Sequence, residues 1–266
     1  MNWQGEVPLL RCPDCLGDLG AENESDIRCT VCSRIYPVRG SILDMGAPRG
    51  GSNRITADFY DSDRWIRFRV WEKVFWFIVG GEEQGRREVM KHFPDLSGTR
   101  LLEVGIGDGA NIRFFPPSSE IYGNDISMAQ LTECHDRHKA RQVRLLHCQA
   151  EVLPFRDATF DHLLSIGGFN YFSDPACSLR EMARVVRPGG IIVVADEKPS
   201  VGKQLFKFRL GRRMLERMLG REFTDLVERG LDMKITPIVG NLLENARIHR
   251  IWRKLGYCIV GRSPAR

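Results

Sequence analysis

Four cysteines near the amino end stand at a spacing suited to a metal cage. Cys12-Pro-Asp-Cys15 and Cys29-Thr-Val-Cys32 are two C-x2-C pairs separated by 13 residues. Each pair can sit on a tight turn that points two sulfurs at one centre, and two such turns complete the tetrahedral four-thiolate set that zinc prefers. Free thiols, a redox dithiol and an iron–sulfur centre compete with this reading, but a redox motif needs no second matched pair. A segment of about 35 residues with few aliphatics also needs a metal in order to fold alone. Cys12, Cys15, Cys29 and Cys32 are therefore expected to hold a structural zinc with no open coordination position. The remaining cysteines, Cys134, Cys148, Cys177 and Cys258, are scattered.

A second chemical signature is a glycine turn. Thr99-Arg-Leu-Leu-Glu-Val-Gly105 has the composition of a buried parallel strand, and Gly105, Gly107 and Gly109 follow at alternate positions before an apparent helix. Such glycines tighten the turn and let backbone amides approach a ligand closely, as in dinucleotide folds. The spacing places Glu103 two residues before the first glycine, unlike the G-x-G-x-x-G of nicotinamide sites. Glu120-Ile-Tyr-Gly-Asn-Asp125 reads as the next strand. A carboxylate at its end, Asp125, could accept hydrogen bonds from both hydroxyls of a ribose, or could cap a helix starting near Ser127.

The Glu-x-Gly-x-Gly-x-Gly run resembles the first motif of class I S-adenosylmethionine-dependent methyltransferases. Further segments keep the same register: Val143 to Cys148 as a third strand, Gln149-Ala-Glu-Val-Leu-Pro-Phe155, Phe160 to Ser165 as a fourth strand, a helix over Leu179 to Val186, and Arg187-Pro-Gly-Gly190 leading into a fifth strand at Ile191 to Ala195. Residues 99 to 196 together resemble the quinone-biosynthesis branch of that family. The resemblance implies an α/β fold with a doubly wound, mostly parallel Rossmann-like sheet. It also implies S-adenosylmethionine held by Glu103, Gly105, Gly107, Gly109, Asp125, Ile126, Gln149, Ala150, Glu151 and Ser165. Gln149 departs from the family's Asp at the adenine contact, although its carbonyl can still accept from an exocyclic amine. Residues 6 to 46 resemble the small zinc-ribbon proteins that partner some methyltransferases, here fused in cis as a stabilising or substrate-presenting appendage.

Methyl transfer needs positioning more than acid–base machinery, because the cofactor carries the reactivity. Gly167-Gly-Phe-Asn-Tyr-Phe172 follows the fourth strand and would face the methyl group. Asn170 and Tyr171 could orient a polar acceptor there, and Glu197 or His162 could serve as base; each has an equally ordinary structural role.

The elements expected to position these groups fall into three parts: a zinc-ribbon module over 1–46, a linker and aromatic helical cap over 47–98, and a methyltransferase domain over 99–266. Gly46-Ala-Pro-Arg-Gly-Gly-Ser-Asn53 is a cluster of loop formers that marks the first boundary. Eight aromatics lie between Phe59 and Phe77 at helical spacing, suited either to a core or to the wall of an apolar pocket. A basic amphipathic helix is expected within an insertion at about 198–243, where Leu205, Phe206, Leu210, Met214 and Leu215 interleave with Arg209, Arg212, Arg213 and Arg217. That helix could be a substrate lid, an RNA-facing patch, an interfacial helix or a solvated surface. Ile248 to Leu255 reads as a further helix, Gly256 to Val260 as a late strand, and the usual final antiparallel strand is expected to be missing.

The chain has 266 residues, 42% hydrophobic and 27% charged, with a formal charge of +5. Residues 198–230 carry nine Lys or Arg against four acids, so the remainder is neutral. No apolar run approaches the roughly 20 residues of a membrane span. The amino end lacks the basic and apolar regions of a secretory signal, which makes the cytoplasm the expected compartment. Three functions compete: methylation of a small or lipid-like metabolite, anionic or apolar; methylation of an RNA base; and a non-methylating role, as a partner subunit or a cofactor-assisted cyclase. The acceptor and the oligomeric state are not readable from the sequence.

Overall fold

The computed structural model describes residues 3–23, 25–46, 50–198, 203–240 and 242–265. Residues 47–49 of the expected linker and 199–202 and 241 of the expected insertion lie outside the described residues, as does the side chain of Leu205.

The amino-terminal region forms a small antiparallel sheet of β1 (Leu19–Asn23), β2 (Asp26–Cys29), β3 (Ile35–Arg39) and β4 (Ile42–Asp44). Three helices follow: α1 (Gly51–Tyr60), α2 (Asp63–Val79) and α3 (Glu82–Met90). The aromatic segment is thus two helices, and α2 ends where Gly80 takes φ 104°, a left-handed conformation that stops a helix without steric cost.

The Rossmann-like core comprises β5 (Arg100–Val104), β6 (Glu120–Asp125), α4 (Met128–Arg137), β7 (Val143–His147), β8 (His162–Ile166), α5 (Pro175–Val185) and β9 (Ile191–Glu197). The strands fall where the sequence predicts them, to within a few residues. Local signals start the helices: Ser127 accepts the Gln130 N–H, and Asp174 accepts the Cys177 N–H with Pro175 in the first turn.

The chain then runs through α6 (Lys203–Phe206), α7 (Arg209–Leu219), α8 (Arg221–Gly230) and α9 (Ile235–Val239) into β10 (Glu244–Ile251) and β11 (Gly256–Arg262). Two expectations are corrected here. The final antiparallel strand is present, since β11 pairs antiparallel with both β9 and β10. Ile248 to Leu255 is not a helix: most of it belongs to β10, and Trp252, Arg253 and Lys254 turn the chain with positive φ. Ile248, Ile251, Trp252 and Leu255 have helical spacing, but the ladder to β11 outweighs that local periodicity. The basic insertion is several helices rather than one, because Gly220, at φ 85°, separates α7 from α8.

All strands join in one sheet of order β1-β2-β3-β4-β7-β6-β5-β8-β9-β11-β10. β4 pairs parallel with β7, Ile42 opposite Leu145 and Asp44 opposite His147, so the amino-terminal module extends the core sheet. Alternation along the strands sorts side chains to two faces. Leu101, Ile121 and Val193 pack with α2, α3 and α4 on one face. Leu102, Tyr122 and Val194 pack with α5, α9 and the module's Trp3, Leu10, Tyr36 and Leu43 on the other. The module therefore occupies a layer that a helix would otherwise fill.

Candidate cofactor and acceptor site

At the carboxyl ends of β5, β6, β8 and β9 lies a cavity of about 380 Å³. This is where open α/β sheets bind ligands, because the strand-end loops leave a crevice there. Its floor is the glycine turn. Gly107 and Gly109 adopt φ of 52° and 78°, a region costly for other residues. A Cβ on Gly109 would also lie 2.7 Å from Cys134 Sγ and Ile112 Cδ1, so this glycine seats the turn against α4. The Gly107 N–H donates to Asp125 Oδ2 at 2.9 Å, and the Ser127 N–H donates to Oδ1 at 2.9 Å. Burial nevertheless raises the Asp125 pKa above its ordinary value.

Glu103 is fully buried at the end of β5. Asn111 donates to its Oε1 at 2.6 Å, and Arg86 donates to Asn111 Oδ1 at 2.7 Å, forming a chain from α3 across the glycine turn. Glu103 Oε2 is buried with no partner among the described residues, as is Asn124 Oδ1, and both residues belong to the cavity wall. Burial pushes the Glu103 carboxyl up to about 8, partly opposed by the Asn111 bond and by the charge of Arg86. Glu72, Glu103, Asp108, Asp125 and Glu197 line the cavity, where Arg86 is the one lining cation among the described residues and Arg69 and Arg137 pair with Asp108 from outside the lining. Such a lining favours a cationic ligand that brings its own donors.

The walls are aromatic. Tyr60, Trp65, Phe68 and Trp71 come from α1 and α2, Trp252 from the turn before β11, and Tyr171 from the loop after β8. Phe59 stacks on Phe223 of α8 with centroids 4.0 Å apart, tying the insertion to this cap. The Tyr171 hydroxyl donates to Glu197 Oε1 at 2.7 Å, and both residues line the cavity. Burial and the Glu197 charge raise the Tyr171 pKa well above its usual value.

The expected site residues divide by position. Glu103, Gly105, Gly107, Asp125, Ile126, Ala150, Tyr171 and Glu197 line the cavity. Gly109, Gln149, Glu151, Ser165 and Asn170 are not among the lining residues. Gln149 and Glu151 instead accept from Asn53 of α1, at 3.4 and 2.8 Å, so this loop anchors the cap helix. Ser165 is buried, its hydroxyl without a partner among the described residues. Asn170 is bound to the Glu197 carbonyl and to the Tyr257 hydroxyl. His162 is corrected as a candidate base: it begins β8, at the end of the sheet opposite the cavity, and its Nδ1 accepts the Ile191 N–H at 3.0 Å. Arg86 and Asn111 went unassigned in the sequence reading. Asn111 stands two residues beyond Gly109 and offered a signal; Arg86 offered none.

The cysteine pairs converge. The Sγ atoms of Cys12, Cys15, Cys29 and Cys32 all lie within 4.8 Å of one another, with Cys12 to Cys32 at 3.7 Å and Cys15 to Cys29 at 3.4 Å. Zinc–sulfur bonds of about 2.3 Å set the sulfurs of a tetrahedron roughly 3.8 Å apart, so the cluster fits the ion. The Tyr36 hydroxyl lies 2.9 Å from Cys12 Sγ and donates to Asp14. Among the described residues of the module, none lines the cavity. Its nearest link is Asp44 of β4, whose Oδ1 lies 2.8 Å from His147 Nδ1, while His147 Nε2 lies 3.1 Å from the Ile126 carbonyl oxygen. Although burial opposes it, hydrogen bonds from His147 and Arg39 hold the Asp44 carboxyl below its ordinary pKa.

Residues 102–194 match the family described as Methyltransferase domain. The chain is 31% identical over 146 residues to a probable phthiotriol/phenolphthiotriol dimycocerosates methyltransferase 2 of Mycobacterium ulcerans, covering 54% of this chain and 56% of that protein. It is 29% identical over 148 residues to a fatty-acid O-methyltransferase of Mycolicibacterium smegmatis, covering 54% of each. The chain thus spans about half the length of the curated relatives it matches. Among solved structures it is similar in fold to a chain of the Haloferax volcanii complex between the Trm112 methyltransferase activator and a methyltransferase. That likeness has a TM-score of 0.56 at 18% identity, covering 77% of this chain and 98% of the other.

The Glu103 environment sets a pH dependence. With its folded pKa near 8 and an unfolded value near 4.5, the folded state binds the extra proton between those values. Stability of the ligand-free protein is therefore expected to fall as pH rises from about 5 to 8, by on the order of a few kcal/mol. Glu103→Gln should flatten that slope in urea unfolding curves measured across the range, and an unchanged slope would refute the assignment.

Proposed function

We infer that this protein transfers a methyl group from S-adenosylmethionine to a small apolar or lipid-like acceptor. The observation that carries this reading is the cavity itself: an acidic floor with unpartnered acceptors at the glycine turn, roofed by aromatic side chains. Glu103 and Asn124 offer acceptors to an ammonium, and Asp125 offers lone pairs to ribose hydroxyls. Gln149 is not among the lining residues, so its adenine role would require release from Asn53. When bound, S-adenosylmethionine supplies an electrophilic methyl on a positively charged sulfur.

The chain's own part is to orient, to exclude water and to receive a proton. Tyr171 fixes the Glu197 carboxylate through Oε1, and this carboxylate, which also meets the buried Asp196 side chain, is the group that would accept the proton of an acceptor hydroxyl. The aromatic cap shields this point from water and suits an acceptor with an apolar body. The names of the mycobacterial relatives, which mention dimycocerosate and fatty-acid acceptors, favour the same substrate class over the quinone-like ring of the quinone-biosynthesis branch. An RNA acceptor is disfavoured, because the lining is aromatic and acidic, with Arg86 as its one cation among the described residues. In this reading residues 1–46 form the zinc ribbon, 47–98 the linker and cap, and 99–266 the transfer domain with its insertion at 198–243.

Three outcomes test the reading. Titration calorimetry should detect S-adenosylmethionine binding to the zinc-loaded chain, and Asp125→Ala should weaken it at least about tenfold through lost hydrogen bonds to a charged acceptor; a folded sample that does not bind refutes the reading. With long-chain hydroxyl acceptors, Glu197→Gln should slow release of the demethylated cofactor by about 10²- to 10⁴-fold while cofactor affinity is kept. An equal rate would remove Glu197 as base. Cys12→Ser with Cys15→Ser should lose one equivalent of zinc by elemental analysis and lower the melting temperature of the whole chain, since the ribbon shares the core.

A further inference from the structure

The helix that walls the cavity is apolar on its outer side as well. On α2, Ile66, Val70, Val74 and Phe77 recur at helical spacing and are exposed, Phe77 at 84% of its surface. Ile78 and Trp71 are half exposed at the edge of this strip, Trp71 also reaching the cavity wall. A solvent-facing helix surface ordinarily carries charge, and a contiguous apolar strip marks an interaction site. α7 packs beside α2. It turns Leu215, Met218 and Leu219 inward toward Phe59 and Phe223 and leaves Phe208, Leu210 and Met214 outward, Leu210 at 79% exposure.

Cations flank the apolar residues. Arg209, Arg213 and Arg217 are exposed on α7, and Arg67 and Lys73 on α2; none of these five has an ion-pair partner among the described residues. The acids of the two helices are committed elsewhere: Glu72 lines the cavity, Glu216 is paired with Arg212, and Asp63 sits in the first turn of α2. A second copy of the chain on this face would set like charges against each other in a two-fold interface. An anionic lipid surface satisfies both components, taking the apolar side chains below its headgroups and pairing the arginines with phosphates. Among the described residues no helix is long and apolar enough to cross a membrane, so the geometry is that of helices lying in the interface.

We propose that the outer faces of α2 and α7 dock the protein on anionic bilayers, with the cavity behind α2. The docking stands apart from the methyl-transfer reading, because it is measured without cofactor or acceptor. The test is co-sedimentation of the full chain with vesicles of phosphatidylcholine alone or mixed with phosphatidylglycerol. Binding to the anionic vesicles should exceed binding to the neutral ones by at least about tenfold and weaken with salt. The emission of Trp71, the one tryptophan with an exposed ring, should shift to the blue, and Trp71→Phe should remove the shift. Phe77→Ser with Leu210→Ser, and separately Arg209→Glu with Arg213→Glu and Arg217→Glu, should each reduce vesicle binding at least about tenfold at unchanged melting temperature. The proposal is overturned if neither vesicle type sediments the protein, or if the folded variants bind as well as the parent. It is also overturned if Phe77→Ser with Leu210→Ser converts a dimer to a monomer in sedimentation velocity, which would assign the face to a second copy.

Discussion

Carboxylates crowded into a desolvated crevice are the constraint around which the rest of this structure is arranged. Burying Glu103 and Asp125 at adjacent strand ends is costly, because charge is stabilised poorly away from water. The fold offsets the cost with short, directed bonds: the Asn111 amide and behind it Arg86, and the backbone N–H groups of Gly107 and Ser127. Each partner comes from a different element. α3 must therefore lie against the glycine turn, the turn must be tight enough to aim its amides, and α4 must begin where it does. What these bonds leave unsatisfied is as informative as what they satisfy, since Glu103 Oε2 and Asn124 Oδ1 stay buried without a partner among the described residues, in two residues of the cavity wall.

The aromatic cap answers the same constraint from above. Helices α1 and α2 cover the crevice mainly with rings, with Arg69 of α2 paired to Asp108 at 3.0 Å, and α8 locks them through the stack of Phe59 on Phe223. The insertion is less basic in effect than its composition suggests, because Arg212 is engaged by Glu216, Asp225 and Glu228. Arg209, Arg213 and Arg217, without an ion-pair partner among the described residues, are exposed on α7 and are not part of the cavity lining.

Much of this was legible in the sequence where one element carries the whole signal. The strand ending in Glu103, the glycine turn, Asp125 and the paired cysteines are local patterns, and each forms the element expected of it. What escaped was either long-range or ambiguous in period. Arg86 meets Asn111 across 25 residues, whereas local spacing displays only its i, i+4 pair with Glu82. The spacing of Ile248, Ile251, Trp252 and Leu255 fits a helix as well as it fits a strand and a turn, and only pairing with β11 decides between them. His162 sits in the right strand at the wrong end, a distinction that composition does not carry. Gln149 falls at the expected position, yet its side chain bonds to a helix nearly 100 residues earlier.

The parallel pairing of β4 with β7 bears on how this chain can be cut and recombined. Zinc modules are commonly regarded as detachable beads, yet here the last strand of the bead is an interior strand of the larger sheet. Excising it would bare the amide edge of β7, open one face of the core where Trp3, Leu10 and Leu43 now sit, and remove the carboxylate that braces His147 beneath Ile126. The ribbon and the sheet are thus one structural unit, to be cut or recombined together.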